Sequence, residues 1–119
     1  MKVLLVEDSF LARERETKVL KNLGHKVVQA CDGDEAVKLF KAEKPDVVIT
    51  DLDMPYLGGQ DAIKEIRKLN PKVPILVCSS SADKQQLMSA MQAGASEILG
   101  KPLDPNQLQT ALSNARGRI

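Results

Sequence analysis

Five short apolar runs recur along the chain, and longer amphipathic segments separate them. The runs are KVLLV at 2–6, KVVQA at 26–30, DVVIT at 46–50, PILVC at 74–78 and SEIL at 96–99. Runs of this length, rich in β-branched residues, are typical of strands that are buried on both faces of a sheet. The pattern therefore predicts five strands of a parallel sheet.

The segments between these runs have the apolar spacing of helices. The stripe is clearest in the third segment, at Ala62, Ile63, Ile66 and Leu69, and in the fifth, at Leu108, Ala111, Leu112 and Ala115. Helix ends are predicted at Asn22-Leu23-Gly24, Asn70-Pro71 and Ala93-Gly94, and Asp104-Pro105 should begin the fifth helix. Strands that alternate with such helices predict a doubly wound α/β fold with helices on both faces of the sheet.

The first helix breaks this pattern at two positions. Its apolar stripe runs through Ala12, Val19 and Leu20, but Arg15 and Glu16 stand near places where the stripe calls for apolar side chains. The long stem of Arg15 can lie along an apolar surface while its charge stays in water. The pattern gives Glu16 no role.

Composition and charge narrow the class of protein. A chain of 119 residues with 43% apolar residues predicts one domain over residues 1–119. A net charge of +1 gives no electrostatic reason for binding to nucleic acid or a membrane surface. No apolar run approaches the roughly 20 residues of a membrane span, and the N-terminal run is too short for a signal peptide, so we expect a cytoplasmic protein. Cys31 and Cys78 lack metal-ligand spacing and are expected to be reduced, largely buried thiols without a disulfide.

Charged and hydroxyl side chains follow the strands, where open parallel sheets bind their ligands. They lie in Glu7-Asp8, Asp51-Leu52-Asp53, Ser79-Ser80-Ser81 and Lys101-Pro102. Acids brought together repel one another, so a cation is needed among them. Mg²⁺ suits Asp8, Asp51 and a nearby backbone carbonyl, and a carboxylate that is not fully used by the metal can act as a nucleophile.

These residues, in this order, resemble the receiver domains of two-component response regulators, and in particular chemotaxis regulators. The resemblance covers Lys2 to about Ala115 and rests on Glu7-Asp8, D-L-D-M-P at 51–55, Gly59, Ser79, Ala93-Gly94-Ala95 and Lys101-Pro102. It implies a flavodoxin-like sheet of strand order 2-1-3-4-5 with five helices. It also implies a signalling domain that catalyses only its own phosphorylation and dephosphorylation, and is not otherwise an enzyme.

The resemblance also implies the roles of individual residues. Asp51 is expected to accept a phosphoryl group from a phosphohistidine on a sensor histidine kinase or phosphotransfer protein. Mg²⁺ would be bound by Asp51 and Asp8, by Glu7 through water, and by the backbone carbonyl of Asp53. Ser79 and Lys101 would bind phosphoryl oxygens, with a cis bond between Lys101 and Pro102 aiming the lysine into the site.

Some positions depart from the family pattern. Ile98 stands where most receivers have a Phe or Tyr that changes rotamer on phosphorylation, and Leu103 replaces a common Phe. Because no acidic pair follows Gly94-Ala95, we expect a monomer, with a dimer possible on phosphorylation. We hypothesise that Asp53 and Ser81 set the lifetime of the phosphoryl group, which timing dephosphorylation of an Asp53→Asn variant would test.

Two alternatives remain open on the sequence. Asp51-x-Asp53 also resembles the haloacid-dehalogenase-like phosphohydrolases, although Pro55, the position of Glu7-Asp8 and the chain length count against that class. The second alternative is a receiver-like docking module that is never phosphorylated. His25 is interpreted as a surface turn residue, and Met88 and Met91 as core residues.

Overall fold

Strands and helices alternate throughout residues 1–52, 59–80 and 84–117, which are the residues that the computed structural model describes. The strands are β1 (Lys2–Val6), β2 (Lys26–Ala30), β3 (Val47–Asp51), β4 (Ile75–Ser79) and β5 (Glu97–Gly100). The helices are α1 (Phe10–Asn22), α2 (Gly33–Glu43), α3 (Gly59–Leu69), α4 (Lys84–Ala93) and α5 (Pro105–Arg116). None of the helices in these residues is both long and apolar enough to cross a membrane.

All neighbouring strands are parallel, and their order in the sheet is β2-β1-β3-β4-β5. This confirms the predicted fold class and strand order. β1 and β2 have the predicted bounds, whereas the other three strands begin and end one residue later. The shift arises because the first residue of each of these three runs precedes the strand and does not belong to it. Asp46, for example, accepts a hydrogen bond from the Lys2 amide at 2.8 Å through its side chain.

Two apolar clusters cover the two faces of the sheet. On one face, which we call the α1–α5 side, Leu20 of α1 and four residues of α5 pack on alternate strand residues such as Val3, Leu5, Val47 and Ile49. The other face, the α2–α4 side, is covered by α2, α3 and α4. The predicted stripe of α5 is fully buried, with members Leu108, Ala111, Leu112 and Ala115. The sheet is thus sandwiched between two helical layers.

Side-chain caps begin three of the helices. Ser9, Asp32 and Asp104 each accept a hydrogen bond from a backbone amide in the first turn, at 3.4, 2.8 and 3.3 Å. The Asp104 cap and the proline after it were predicted. At the other end of α4, Gly94 has a φ of 124°, a conformation that side-chain-bearing residues rarely adopt. The predicted stop after Ala93 therefore has a backbone cause.

Arg67 joins the ends of three elements. Its guanidinium, on α3, donates to the Gly94 carbonyl at 2.6 and 3.1 Å and to the Val73 carbonyl at 2.7 Å. Gly94 follows α4, and Val73 precedes β4. A Cβ atom on Gly94 would lie only 3.0 Å from Arg67 Cγ, so the close approach also requires glycine there.

The interpretation of His25 as a surface residue is wrong, and the expected burial of the two thiols is confirmed for Cys78 but wrong for Cys31. His25 is only 8% exposed, and its amide donates to the Leu20 carbonyl at 3.1 Å. Its Nδ1 atom lies 3.1 Å from the Met1 amino nitrogen. Cys31 is exposed, whereas Cys78 is buried, and both are free thiols. A thiol at the end of an edge strand has no second layer to cover it.

The interpretation of Met88 and Met91 as core residues is also wrong. They are 62% and 45% exposed, on the outer surface of α4. Leu69, at the end of the predicted α3 stripe, is likewise 45% exposed. Helical spacing identifies residues that share a face, but it does not reveal whether another element covers that face.

Candidate functional site

The strand alternation decides on which side of the sheet the site lies. In β3, Val47 and Ile49 point to the α1–α5 side, and period-two alternation places Asp51 in the same row. Val3 and Leu5 do the same for Glu7, which directly follows β1. Both acids therefore lie at the carboxyl edge of the sheet, on the α1–α5 side.

Three of the predicted acids come together there. Glu7, Asp8 and Asp51 each offer a carboxylate oxygen, and these oxygens all lie within 4.8 Å of one another. Glu7 and Asp51 are only 1% and 4% exposed, whereas Asp8 is exposed. The group thus has a buried floor and one side open to solvent, which is what a cation needs in order to enter.

Lys101 supplies a positive charge to this group from the end of β5. Its Nζ atom lies 2.9 Å from Asp51 Oδ1 and 3.2 Å from Glu7 Oε1. Burial alone would lower the pKa of the ammonium, but the hydrogen bonds and charges of Asp51 and Glu7 outweigh burial and raise it. Lys101 is therefore held in its charged form.

One ammonium does not balance the negative charge of three carboxylates, and the pKa of Glu7 is raised. Burial, together with hydrogen bonds and charge from Asp51, raises the pKa of Glu7 to about 7. A carboxyl group that is this reluctant to ionise gains from any further cation nearby. Hard oxygen ligands with an excess of negative charge fit Mg²⁺ well.

The turn after β1 is shaped around Glu7. The Ser9 amide donates to Glu7 Oε2 at 3.2 Å, and Ser9 in turn caps α1. Arg13, one turn into the helix, donates to the Glu7 carbonyl at 2.8 Å. The first turn of α1 therefore holds the Glu7 carboxylate in place toward Asp51.

The neighbouring strands bring the remaining predicted residues to the same edge. Asp51 pairs in register with Cys78, so the buried Ser79 lies one residue further along the adjacent strand. Lys101 donates its amide to the Ser79 carbonyl at 3.1 Å, and its bond to Pro102 is cis, as the resemblance implied. The carbonyl of Asp53, together with Pro55 and Ser81, lies outside the described residues.

Glu16 is a buried acid on α1 to which the helical pattern assigned no role. It is 5% exposed and lies one helical turn before Leu20, whose side chain belongs to the cluster on the α1–α5 side. Burial raises the pKa of Glu16, the charge of Lys101 lowers it and the charge of Asp51 raises it. The signal in the sequence was a charged residue within an apolar stripe, but the stripe alone does not reveal what that residue faces. Arg15, its neighbour, is exposed.

The comparisons with known proteins agree with this architecture. A family model, the response regulator receiver domain, matches residues 3–113. The chain is 37% identical over 113 residues to chemotaxis protein CheY of Thermotoga maritima, which covers 94% of each chain. A receiver domain protein from Clostridium thermocellum superposes with a TM-score of 0.93 at 32% identity, over 98% of this chain and 94% of that chain.

A further solved structure is the receiver domain of a sensor histidine kinase from Pseudomonas aeruginosa, with a TM-score of 0.91 at 30% identity over 98% of this chain and 97% of that chain. That structure holds a magnesium ion in its active-site cleft. The fold and these matches define the class, a signalling module of two-component systems. The chain belongs to the response regulator receiver domain family.

Proposed function

We propose that Asp51 is the phosphoacceptor of this receiver domain, which extends over residues 1–119. The observation that carries the proposal is the position of Lys101, whose ammonium bridges Asp51 and Glu7 at 2.9 and 3.2 Å. An ammonium beside the nucleophile can move to the oxygens of an arriving phosphoryl group and neutralise their charge. The donor is a phosphohistidine on a sensor histidine kinase or phosphotransfer protein.

The transfer forms one bond and breaks one. An Asp51 carboxylate oxygen attacks phosphorus, the phosphorus–nitrogen bond breaks, and the histidine ring leaves with that electron pair. The product is an acyl phosphate, which water later hydrolyses to Asp51 and inorganic phosphate. Ser79 and Lys101 bind the phosphoryl oxygens, and the added charge signals by drawing these two residues toward Asp51.

Glu7, Asp8 and Asp51 are the side chains that would hold Mg²⁺. Their oxygens lie within 4.8 Å of one another, and burial together with the neighbouring Asp51 raises the pKa of Glu7. When bound, Mg²⁺ supplies positive charge that favours a dianionic phosphoryl group at an already acidic site. Glu7 and Lys101 keep Asp51 oriented at the strand end, and the burial of Asp51 restricts the access of water.

Intact mass after incubation with acetyl phosphate tests the proposal. We expect one added phosphoryl group on the native chain with Mg²⁺, and none with EDTA or in the Asp51→Asn variant. Asp61→Asn, an exposed aspartate on α3, is the matched control and should be phosphorylated like the native chain. Phosphorylation of Asp51→Asn would overturn the assignment of the phosphoacceptor. Rapid turnover of a phosphomonoester would instead favour a phosphohydrolase.

A further inference from the structure

β5 is the last strand on one side of the sheet, and its outer edge is open. Among the described residues, β5 pairs only with β4, in the register that joins Val77 to Ile98 and Cys78 to Leu99. In a parallel strand, every second residue directs both its backbone amide and its carbonyl to the same side. Half of the backbone groups of β5 therefore face away from β4, where a further strand can pair with them.

The cleft on the α1–α5 side of this edge contains an unpaired acid. Leu99 packs into the cluster on that side, so Glu97, two residues earlier, projects to the same side of β5. Glu97 lines a cleft of about 450 Å³ between β5 and α5, and the residues of α5 that line it are all polar, namely Asn106, Gln107 and Thr110. Within the described residues, the Oε2 atom of Glu97 is fully buried and has no hydrogen-bond partner. Leaving such an oxygen unpaired is costly, so a cationic group in the cleft would be favoured.

The cleft on the other side of the same edge is apolar. Ile98 projects to the α2–α4 side and packs against the cluster there. It lines a second cleft, of about 300 Å³, with residues of α4, namely Leu87, Met88, Met91 and Gln92. Met88 and Met91 are 62% and 45% exposed, and methionine adapts its shape to different apolar partners. The β5 edge thus has an acid on one side and apolar side chains on the other.

We propose that the β5 edge binds an extended segment of a partner protein in which basic and apolar side chains alternate. The segment adds a sixth strand to the sheet and pairs with the open backbone groups of β5. Because successive side chains of a strand point to opposite faces, a Lys or Arg of the segment reaches Glu97 while its neighbours enter the apolar cleft. The buried Oε2 atom of Glu97 carries the inference, since a cationic side chain would satisfy it. Binding does not depend on phosphorylation of Asp51.

Charge complementarity favours such a partner over a second copy of this edge. β5 has the sequence E-I-L-G, which offers no basic side chain. Pairing β5 with its own copy would therefore bring a second acid to the edge and leave Glu97 without a cation.

A synthetic peptide of about seven residues with blocked ends, in which Val and Arg alternate, is the probe for this edge. Its affinity is measured by calorimetry, without a phosphodonor and with Mg²⁺ present. Glu97→Gln should weaken binding roughly tenfold, because the charge-assisted bond is lost. Glu14→Gln, which removes an exposed acid from α1, should bind like the native chain.

Two further peptides separate strand addition from attraction between charges. A peptide of the same composition with its arginines grouped at one end keeps the charge but not the alternation, and it should bind at least roughly tenfold more weakly. Methylation of alternate backbone amides of the original peptide should weaken binding similarly, because it blocks pairing with the strand.

The inference is overturned if the native chain does not bind the alternating peptide, or if Glu97→Gln binds it equally well. Equal affinities for the alternating and grouped peptides would have the same meaning. Dimers of the native chain that the alternating peptide dissociates would assign the edge to a second copy instead. Amide shifts on β5 and α4 in the peptide complex would support the proposed position.

Discussion

Lys101 has two partners in this structure and would need new ones after phosphorylation. Its ammonium lies against the Asp51 oxygen at 2.9 Å, so it both holds the carboxylate in place and shields it. If the Lys101 ammonium moved to a phosphoryl oxygen, Asp51 would lose this shielding at the moment when new negative charge arrives. The same ammonium can thus serve the resting site and the phosphorylated one.

Glu7 should make the stability of the Mg²⁺-free protein depend on pH. Its pKa in the folded chain, about 7, lies above the ordinary value of 4.5, so folding favours the protonated form. The stabilisation is fully present below pH 4.5 and is lost as the pH rises through 7. We therefore expect Glu7→Gln to be more stable than the native chain at pH 8, by roughly 2 to 3 kcal/mol.

Urea unfolding in EDTA at pH 5 and pH 8 measures this difference. Glu43→Gln serves as the control, because Glu43 is a half-exposed partner of Lys2 at the opposite edge of the sheet and its substitution should change little. A gap between the native chain and Glu7→Gln that is equally large at both pH values would contradict the explanation. Added Mg²⁺ should close the gap at pH 8 by stabilising the native chain.

At the scale of elements, Arg67 should determine how firmly α3 and α4 are joined. Its three short hydrogen bonds go to backbone carbonyls that lie at the end of α4 and before β4. Bonds from a charged donor are stronger than neutral ones, so Arg67→Met should cost about 2 to 4 kcal/mol of unfolding free energy. Arg67→Lys should recover only part of it, because an ammonium lacks the planar fork.

The adjacent Lys68 offers a matched control for this prediction. Lys68 is exposed and, among the residues that the structure describes, pairs only with Glu65 at 3.3 Å, so Lys68→Met should change stability by less than about 0.5 kcal/mol. Urea unfolding of the three variants against the native chain gives the comparison. Equal losses for Arg67→Met and Lys68→Met would mean that the carbonyl contacts contribute nothing.

The elements themselves were largely predictable because their signals are local. Apolar runs predicted all five strands, and Asp104-Pro105 and Gly94 marked helix ends through capping and backbone conformation. Strand bounds were less certain, since the hydrogen bond that holds Asp46 outside β3 comes from Lys2, 44 residues away. The exposure of Met88 and Met91 was not predictable either, because it depends on which elements pack over α4.

The site was predictable to the extent that it follows from strand ends. Glu7, Asp8, Asp51 and Lys101 meet because parallel strands bring their carboxyl ends to one edge. Glu16 could not be found in this way, since it approaches from a helix. The helical stripe shows only that a charged residue is directed inward. The pairing of Lys101 with both Glu7 and Asp51 could likewise be identified only from the folded structure.

At the scale of the whole molecule, the two cysteines should report on unfolding. Cys31 is exposed, whereas Cys78 lies in a central strand between the two helical layers, where burial and the charge of Glu16 raise the pKa of its thiol. A thiol reagent should therefore label Cys31 within the mixing time of a manual assay and Cys78 only when the sheet opens.

A Cys31→Ser variant isolates the slow reaction. Its labelling rate should rise with urea in parallel with global unfolding, as followed by circular dichroism. Cys78→Ser, the reciprocal control, should lose the slow phase and keep the fast one. Rapid labelling of Cys78 in the folded protein would show that the sheet opens locally at β4, without unfolding of the remainder.

The alternation of side chains along β3 places Asp51 on the α1–α5 side, and it also limits where residues can be inserted into the chain. One extra codon within β3 would turn this carboxylate to the opposite face, away from Glu7 and Lys101, even if every other residue were retained. An insertion before Val47, at the edge far from the site, leaves the order of faces in the strand intact. Insertions and deletions in relatives should therefore be most frequent in the loops that precede the strands, at the edge of the sheet opposite the site. Libraries built on this scaffold should place their insertions in those loops.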